Sequence, residues 1–169
     1  MLRSHGIGGT DFSIRGKGRM DATDRRLLEL LQEDATRPVA ELGALVGLSA
    51  TPCWKRIQRL EREGVIRGRV ALLDPAKVGA GVTVFVSLRT GRHSRDWLES
   101  FAETVRRMPE VVEFYRMAGD VDYMLRVVVP DIAGFDAFYK RLTETPGLTD
   151  VTSRFAMETI KFTTALPVR

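Results

Sequence analysis

Residues 39–66 read VAELGALVGLSATPCWKRIQRLEREGVI, and this stretch decides how the first half of the chain folds. A short amphipathic segment that begins at Val39 stops at Gly47, and Ser49 can then cap a further helix over about residues 50–63. Pro52 is tolerated in the first turn of that helix because its missing N–H would have no intrahelical partner there. Two helices joined by so tight a connection predict a helix-turn-helix.

The second of these predicted helices has one cationic face. Lys55, Arg59 and Arg62 follow one another at helical spacing, with Arg56 beside them. Such a stripe is often only a solvated surface, but on the second helix of a helix-turn-helix it favours DNA recognition. We therefore predict double-stranded DNA as a partner, contacted by Ser49, Thr51, Lys55, Arg56 and Arg59. For Ser49, capping of the helix is an equal alternative.

The opposite face of that helix is apolar and is expected to lie in a core. Its members are Ile57, Leu60 and either Cys53 or Trp54. A lone cysteine in an apolar helical stripe is more often packed in a core than redox active, so we assign Cys53 no redox role.

A further helix is predicted ahead of this motif, over about residues 21–34. Asp21 is suited to cap it, with Asp24 as the acidic residue three positions later, and leucines follow at helical spacing. Residues 1–19 are basic and glycine-rich without an apolar pattern, so we expect a flexible basic leader. A start assigned upstream of Met20 is an alternative explanation, and we give the leader no function.

The composition is that of a water-soluble globular protein. Of 169 residues, 44% are hydrophobic and 28% are charged, the formal net charge is +4, and no apolar run approaches the ~20 residues of a membrane-spanning helix. Cys53 is the only cysteine, and His5 and His93 are the only histidines, so neither an intrachain disulfide nor a zinc site is expected. We expect a cytoplasmic protein without cofactor, metal or membrane partner.

The rest of the chain predicts a second domain. Asp74-Pro75 and Gly79-Ala80-Gly81 punctuate the sequence, so we predict a helix-turn-helix domain over 20–66, a strand-containing linker over 67–81 and a further domain over 82–169. In that last domain the predicted strands cover about residues 82–88, 111–117, 121–129 and 151–164, and Gly119-Asp120 is a predicted two-residue hairpin turn. Helices with Trp97 and Phe135 on their apolar faces fill the two longer gaps.

The order β-α-β-β-α-β is that of the ferredoxin-like fold, an antiparallel four-stranded sheet with both helices on one face. We therefore predict an α+β protein with a helix-turn-helix ahead of a ferredoxin-like domain. Because the other face of the sheet needs a cover, and a second copy of the chain is the simplest one, we also predict a homodimer.

Both halves of the chain resemble the Lrp/AsnC family of bacterial and archaeal transcriptional regulators. In the first half the resemblance lies in Asp24 with the leucine-rich helix, in LSATPC at 48–53, in Arg56 with RLE at 59–61, and in GVI at 64–66. In the second half it lies in GDVDYML at 119–125 and KFTTALP at 161–167. The first half departs from the family at Trp54, where the family usually has an aliphatic residue. The resemblance implies a winged or plain helix-turn-helix, dimers that commonly assemble into octamers or similar rings, and an amino-acid effector bound between sensing domains.

The same resemblance implies which residues border the effector pocket. There, backbone amides could hold a carboxylate, and an aspartate could pair with an ammonium group. The residues concerned are Gly119, Asp120, Asp122 and Tyr123 in the hairpin, with hydroxyls from Thr152 and Ser153 on the last strand. Paired carboxylates can also serve acid–base chemistry, but no histidine or nucleophile with an evident base accompanies these two, so catalysis is not predicted.

The sequence thus predicts a sequence-specific DNA-binding transcriptional regulator that is modulated by a small effector. One alternative is a cofactor-free enzyme on a dimeric ferredoxin-like scaffold, against which the sequence offers no phosphate loop, metal cluster or nucleophilic triad. Another alternative makes the helical unit a protein-docking module. A salt titration of binding to random duplex DNA separates that alternative from DNA recognition, because phosphate contacts give a steep negative slope.

Overall fold

A computed structural model describes residues 20–169, which divide into two units. Residues up to 70 and residues 163–169 form the first unit, and residues 71–162 form the second. The predicted leader, residues 1–19, lies outside the described residues.

The first unit is built from three helices, α1 Ala22–Glu33, α2 Val39–Leu45 and α3 Ala50–Arg62. α1 begins with the predicted cap, since the Asp21 carboxylate accepts from the backbone N–H of Asp24 and the Asp24 carboxylate accepts from that of Asp21. All three helices contribute to one core, whose buried members are Leu27, Leu30, Leu42, Cys53 and Ile57. Residues 20–70 contain no strand, so the described motif is a plain helix-turn-helix without a wing.

The C-terminal tail belongs to this first unit, whereas the sequence predicted that the second domain continues to residue 169. The Gln32 side chain donates from Nε2 to the carbonyl oxygen of Leu166 over 3.1 Å, and its Oε1 accepts from the Leu166 N–H over 2.6 Å. One side-chain amide therefore satisfies both backbone groups of Leu166 and fixes the tail on α1. No hydrophobic periodicity accompanies such a contact, which explains why the sequence did not indicate it.

The predicted strand in the linker is absent from the described chain. Residues 67–75 are irregular, and a short 3₁₀ helix follows over Ala76–Val78. A strand needs a neighbour for its ladder of hydrogen bonds, and none of the three sheet pairings of the described residues includes this segment. Its apolar side chains are consequently exposed, as Val70, Leu72 and Leu73 show.

The second unit has the predicted β-α-β-β-α-β order. Its elements are β1 Val82–Thr90, α4 Arg95–Arg106, β2 Val111–Arg116, β3 Tyr123–Val129, α5 Ile132–Thr143 and β4 Leu148–Phe155. The strands form one antiparallel sheet in the order β2-β3-β1-β4. This confirms the ferredoxin-like fold.

The two faces of the sheet differ in their cover. One face packs on α4 and α5, where Val86 and Leu125 of the strands meet Phe101, Phe138 and other buried residues of the helices. The other face, here called the open face, carries Phe85, Ser87 and Arg89 of β1 with their cross-strand partners, and neither α4 nor α5 of this unit packs on it. Phe85 on this face is 41% exposed and Tyr115 is 51% exposed.

Two predicted boundaries in this sheet are wrong. The connection between β2 and β3 is not a two-residue turn, because the last cross-strand pair is Arg116 with Tyr123 and residues 117–122 lie beyond it. The last strand ends at Phe155 instead of about residue 164. Its neighbour β1 begins at Val82, and the Ala156 N–H donates to the Thr83 carbonyl, so β1 offers only Val82 beyond this bond to a longer last strand.

Candidate nucleic-acid interface and effector region

The turn between α2 and α3 is held at close range by Gly43 and Gly47. The Leu48 N–H donates to the Gly43 carbonyl over 2.8 Å, and a Cβ at Gly43 would lie 2.7 Å from the Leu48 carbonyl oxygen. Gly47 has a φ of 71°, a conformation that glycine adopts at no steric cost. The sequence interpretation recognised Gly47 as a stop signal and missed Gly43, whose role depends on an approach visible only in three dimensions.

α3 buries one side and presents the other to solvent. Cys53 is fully buried, and burial raises the pKa of its thiol, which confirms the core assignment. Trp54 lies on the solvent side and is 51% exposed, so Cys53 and not Trp54 is the core residue of this pair. The exposed face of α3, defined by the exposed residues that recur at helical spacing, comprises Thr51, Trp54, Lys55, Gln58 and Arg62.

Three of the predicted DNA contacts lie at or near this face. Ser49 is the N-cap residue of α3 and is exposed, but its side chain makes no capping hydrogen bond, so the capping alternative is not realised. Thr51 and Lys55 are exposed on the following turns. Among the described ion pairs, none involves Lys55.

The other two predicted contacts, Arg56 and Arg59, are engaged within the chain. Nη1 of Arg56 lies 2.6 Å from Oδ2 of Asp21 and 2.9 Å from Oδ1 of Asp24, and Nη2 of Arg59 lies 2.5 Å from Oδ2 of Asp24. Asp24 is fully buried, whereas the arginine side chains are about one-third exposed, at 30% and 34%. These four residues, the aspartate–arginine cluster, join the start of α1 to the middle of α3.

Electrostatics in this cluster favour the charged forms. Burial raises the pKa of Asp24, but hydrogen bonds from Arg56, Arg59 and the Asp21 backbone outweigh it, so this pKa lies below the ordinary value. The pKa of Asp21 is also lowered, first by the hydrogen bond from the Asp24 N–H and then by that from Arg56. Hydrogen bonds to Asp21 and then to Asp24 raise the pKa of Arg56 in turn.

The predicted effector residues are divided between several environments in the second unit. Asp122 is anchored, since its N–H donates to the Leu88 carbonyl over 2.9 Å and its Oδ2 accepts from the Thr90 N–H over 2.8 Å. Its Oδ1 lies 3.9 Å from Nδ1 of His93. These bonds bind the β2–β3 connection to the end of β1.

Asp120 extends from the same connection into solvent. Its side chain is 88% exposed, and Oδ2 lies 3.9 Å from Nη2 of Arg89. Gly119 precedes it with a φ of 132°. The end of β1 and the β2–β3 connection thus bring two carboxylates, Arg89 and His93 to one edge of the unit.

The remaining predicted residues do not join this edge. Tyr123 is 3% exposed and packs among Trp97, Phe101 and Phe114, and burial is the main cause that raises its pKa. Thr152 pairs with Ser87 on the open face, and Ser153 pairs with Val86 on the helix-covered face. The two hydroxyls therefore point to opposite sides of the sheet, because neighbouring residues of a strand alternate.

A cleft on the helix side of this unit lies outside the predicted residues. Trp97 and Phe101 of α4 line it together with Arg141 and Thr145 at the end of α5. Within residues 20–169, no group of three metal-ligating side chains is present, and no helix is long and apolar enough to cross a membrane.

Family models match both halves of the chain. The AsnC-type helix-turn-helix domain covers residues 20–61, and the Lrp/AsnC ligand binding domain covers residues 83–166. The DNA-binding transcriptional activator DecR of Escherichia coli K12 is 53% identical over 150 residues, which are 88% of this chain and 99% of that protein. The glutamate uptake regulatory protein of Zymomonas mobilis is 51% identical over 150 residues, 89% of this chain and 92% of that protein.

Solved structures agree with these matches. An AsnC family transcriptional regulator from Agrobacterium tumefaciens is 64% identical, with a TM-score of 0.85 over 88% of this chain and 97% of that chain. A transcriptional regulator from Neisseria meningitidis, solved in complex with L-methionine, is 36% identical, with a TM-score of 0.84 and the same coverage.

Proposed function

Since this chain belongs to the Lrp/AsnC family of DNA-binding transcriptional regulators, we propose that the exposed face of α3 contacts its operator and that the edge around Asp120 and Asp122 receives its effector. Its close relatives are regulators, and this chain is likewise a transcriptional regulator and not an enzyme. The alternative of a cofactor-free enzyme is therefore wrong.

One observation supports the proposed DNA interface. The exposed face of α3 combines a hydroxyl, an ammonium, an amide and a guanidinium group with one indole, and none of its five residues is acidic. A recognition helix presents its first turns to base edges in the major groove. We assign base or phosphate contacts to Ser49, Thr51 and Lys55, because each is exposed near the N-terminal end of α3.

Arg56 and Arg59 receive a different role in this proposal. Their guanidinium groups bind Asp21 and Asp24, so they act on DNA binding by fixing α3 against α1. α3 is thus fixed by its buried core residues and by these ion pairs, so its exposed side chains keep one orientation, which direct base readout requires.

The proposed effector is an amino acid, as in the L-methionine complex of the Neisseria regulator. Backbone amides of residues 118–121 and the Arg89 guanidinium offer partners for a carboxylate. Asp120 and Asp122 offer partners for an ammonium group, whose transfer out of water otherwise costs free energy. Of the two predicted hydroxyls, only that of Thr152 lies on the open face with Arg89, so Thr152 is proposed to contact an effector that extends from the edge onto this face, whereas Ser153 is not.

The proposed assembly is a homodimer through the open face, with dimers joined into an octamer or a similar ring. Phe85, Tyr115 and the half-buried Met124 and Val128 give that face an apolar surface that a second copy would bury. Phe85→Lys should lower the mass in light scattering while the circular dichroism spectrum is retained. The proposed compartment is the cytoplasm, where the lone buried Cys53 stays reduced.

Two measurements test this function. Fluorescence anisotropy of a labelled random duplex should give binding that weakens steeply with salt, whereas a protein-docking unit would give none. A thermal-shift screen of the twenty amino acids should identify at least one that raises the unfolding midpoint, because a ligand of the native state stabilises it. Absence of any such amino acid would remove the effector proposal and leave the DNA interface standing.

A further inference from the structure

Trp54 has no packing role that accounts for it in the first unit. The side chain is 51% exposed, although its neighbour Cys53 is fully buried and the core of this unit is complete without it. Among the described residues, the aromatic pairs include Trp97 and do not include Trp54. A large indole is thus presented to solvent in the second turn of α3.

The surroundings of the indole indicate what it can meet. Thr51 lies one turn before Trp54, Gln58 lies one turn after it, and Lys55 is adjacent. The exposed face carries the charges of Lys55 and Arg62 and no carboxylate, which suits a polyanion. An indole offers an apolar surface and a single N–H donor, and the major groove offers thymine methyl groups and base-edge acceptors.

We propose that Trp54 is the specificity-determining residue of α3 and packs its indole on a thymine methyl group in the major groove. This inference rests on the proposed function of α3. Arg56 and Arg59 are held by aspartates. Gln58 and Arg62 lie later in α3 than the first turns, which reach the base edges, and Lys55 acts as a point charge on phosphate. Trp54 is therefore the largest side chain of the exposed face in the turns that reach the bases.

The test compares Trp54→Ala with wild type, and Leu45→Ala serves as the control. Leu45 is a similarly exposed apolar residue, at 48%, on the first helix of the motif. Each protein selects sites from a random duplex library, and each thymine of the wild-type site is then replaced in turn by deoxyuridine, which removes only the methyl group.

We expect one methyl deletion to weaken wild-type binding about fourfold, the loss that corresponds to one buried methyl-sized group. The same deletion should leave Trp54→Ala unaffected, and the variant should lose preference at that base pair. Leu45→Ala should retain both the preference and the methyl effect.

Several results would overturn the inference. If wild type selects a site and Trp54→Ala selects the same site with the same methyl effect, Trp54 does not determine specificity although α3 still binds DNA. If Trp54→Ala alters the mass in light scattering and leaves the site preference unchanged, the indole faces a protein. If wild type binds no duplex at all, the proposed function itself fails.

Discussion

Asp24→Asn removes the charge at the centre of the aspartate–arginine cluster and nearly preserves the shape of the side chain. Asp24 is fully buried and accepts from Arg56, Arg59 and the Asp21 N–H, at 2.9, 2.5 and 3.1 Å. Removing one partner of a buried ion pair typically costs about 3–5 kcal/mol. Because both arginines are about one-third exposed and asparagine keeps one acceptor oxygen, we expect a loss of about 2–3 kcal/mol.

Hydrogen exchange of the full-length protein measures this loss locally. Amides in α1 and α3 should lose about 2–3 kcal/mol of protection, whereas amides in β1 and β3 of the second unit should keep theirs. Glu29→Gln is the control on the same helix, since its pair with Arg26 is about half exposed and should contribute less than about 1 kcal/mol. Equal protection in Asp24→Asn and Glu29→Gln would show that the buried Asp24 charge does not stabilise the first unit.

Three further predictions concern the pH dependence of the aspartate–arginine cluster, the turn at Gly43 and the effector residue Asp122. Acid should weaken the first unit, because Asp21 and Asp24 have lowered pKa values in the folded protein. Their contribution to stability is present above the unfolded pKa of about 3.9 and is lost as the pH falls through their folded pKa values. In this pH range, hydrogen exchange of α1 should depend less on pH in Asp24→Asn than in wild type. Gly43→Ala places a Cβ against the Leu48 carbonyl and should lower the free energy of unfolding by about 1–3 kcal/mol in urea titrations, whereas Gly68→Ala, with open space, should not; equal midpoints would exclude the close approach. Asp122→Asn can still accept from the Thr90 N–H, so it should retain its unfolding midpoint and lose affinity for the identified amino acid in calorimetry; unchanged affinity would remove Asp122 from the effector region.

The elements of this fold could be predicted because each has a regular apolar period or a clear turn signal. α3 was expected over about residues 50–63 and covers Ala50–Arg62, and the four strands and two helices of the second unit occur in the predicted order. The strand predicted in the linker is absent and the predicted last strand is too long, because an apolar run does not reveal whether a neighbouring strand is available.

The site was harder to predict because side-chain partners come from distant parts of the sequence. Arg56 and Arg59 fit the pattern of a basic stripe, yet their partners, Asp21 and Asp24, lie more than thirty positions earlier. Thr152 and Ser153 are predicted to serve one pocket, whereas adjacent residues of a strand point to opposite faces of the sheet. The exposure of Trp54 could not be predicted from the helical period, because Cys53 and Trp54 are adjacent and the sequence does not show which of them is buried.

The salt dependence of duplex binding by Lys55→Ala tests most directly whether the exposed face of α3 contacts DNA. Lys77→Ala is the matched control, since Lys77 is also exposed and lies outside the first unit. We expect the slope of log Kobs against log salt to become less negative by about 1 for Lys55→Ala, whereas Lys77→Ala should keep the wild-type slope. A wild-type slope and affinity in Lys55→Ala would contradict this expectation.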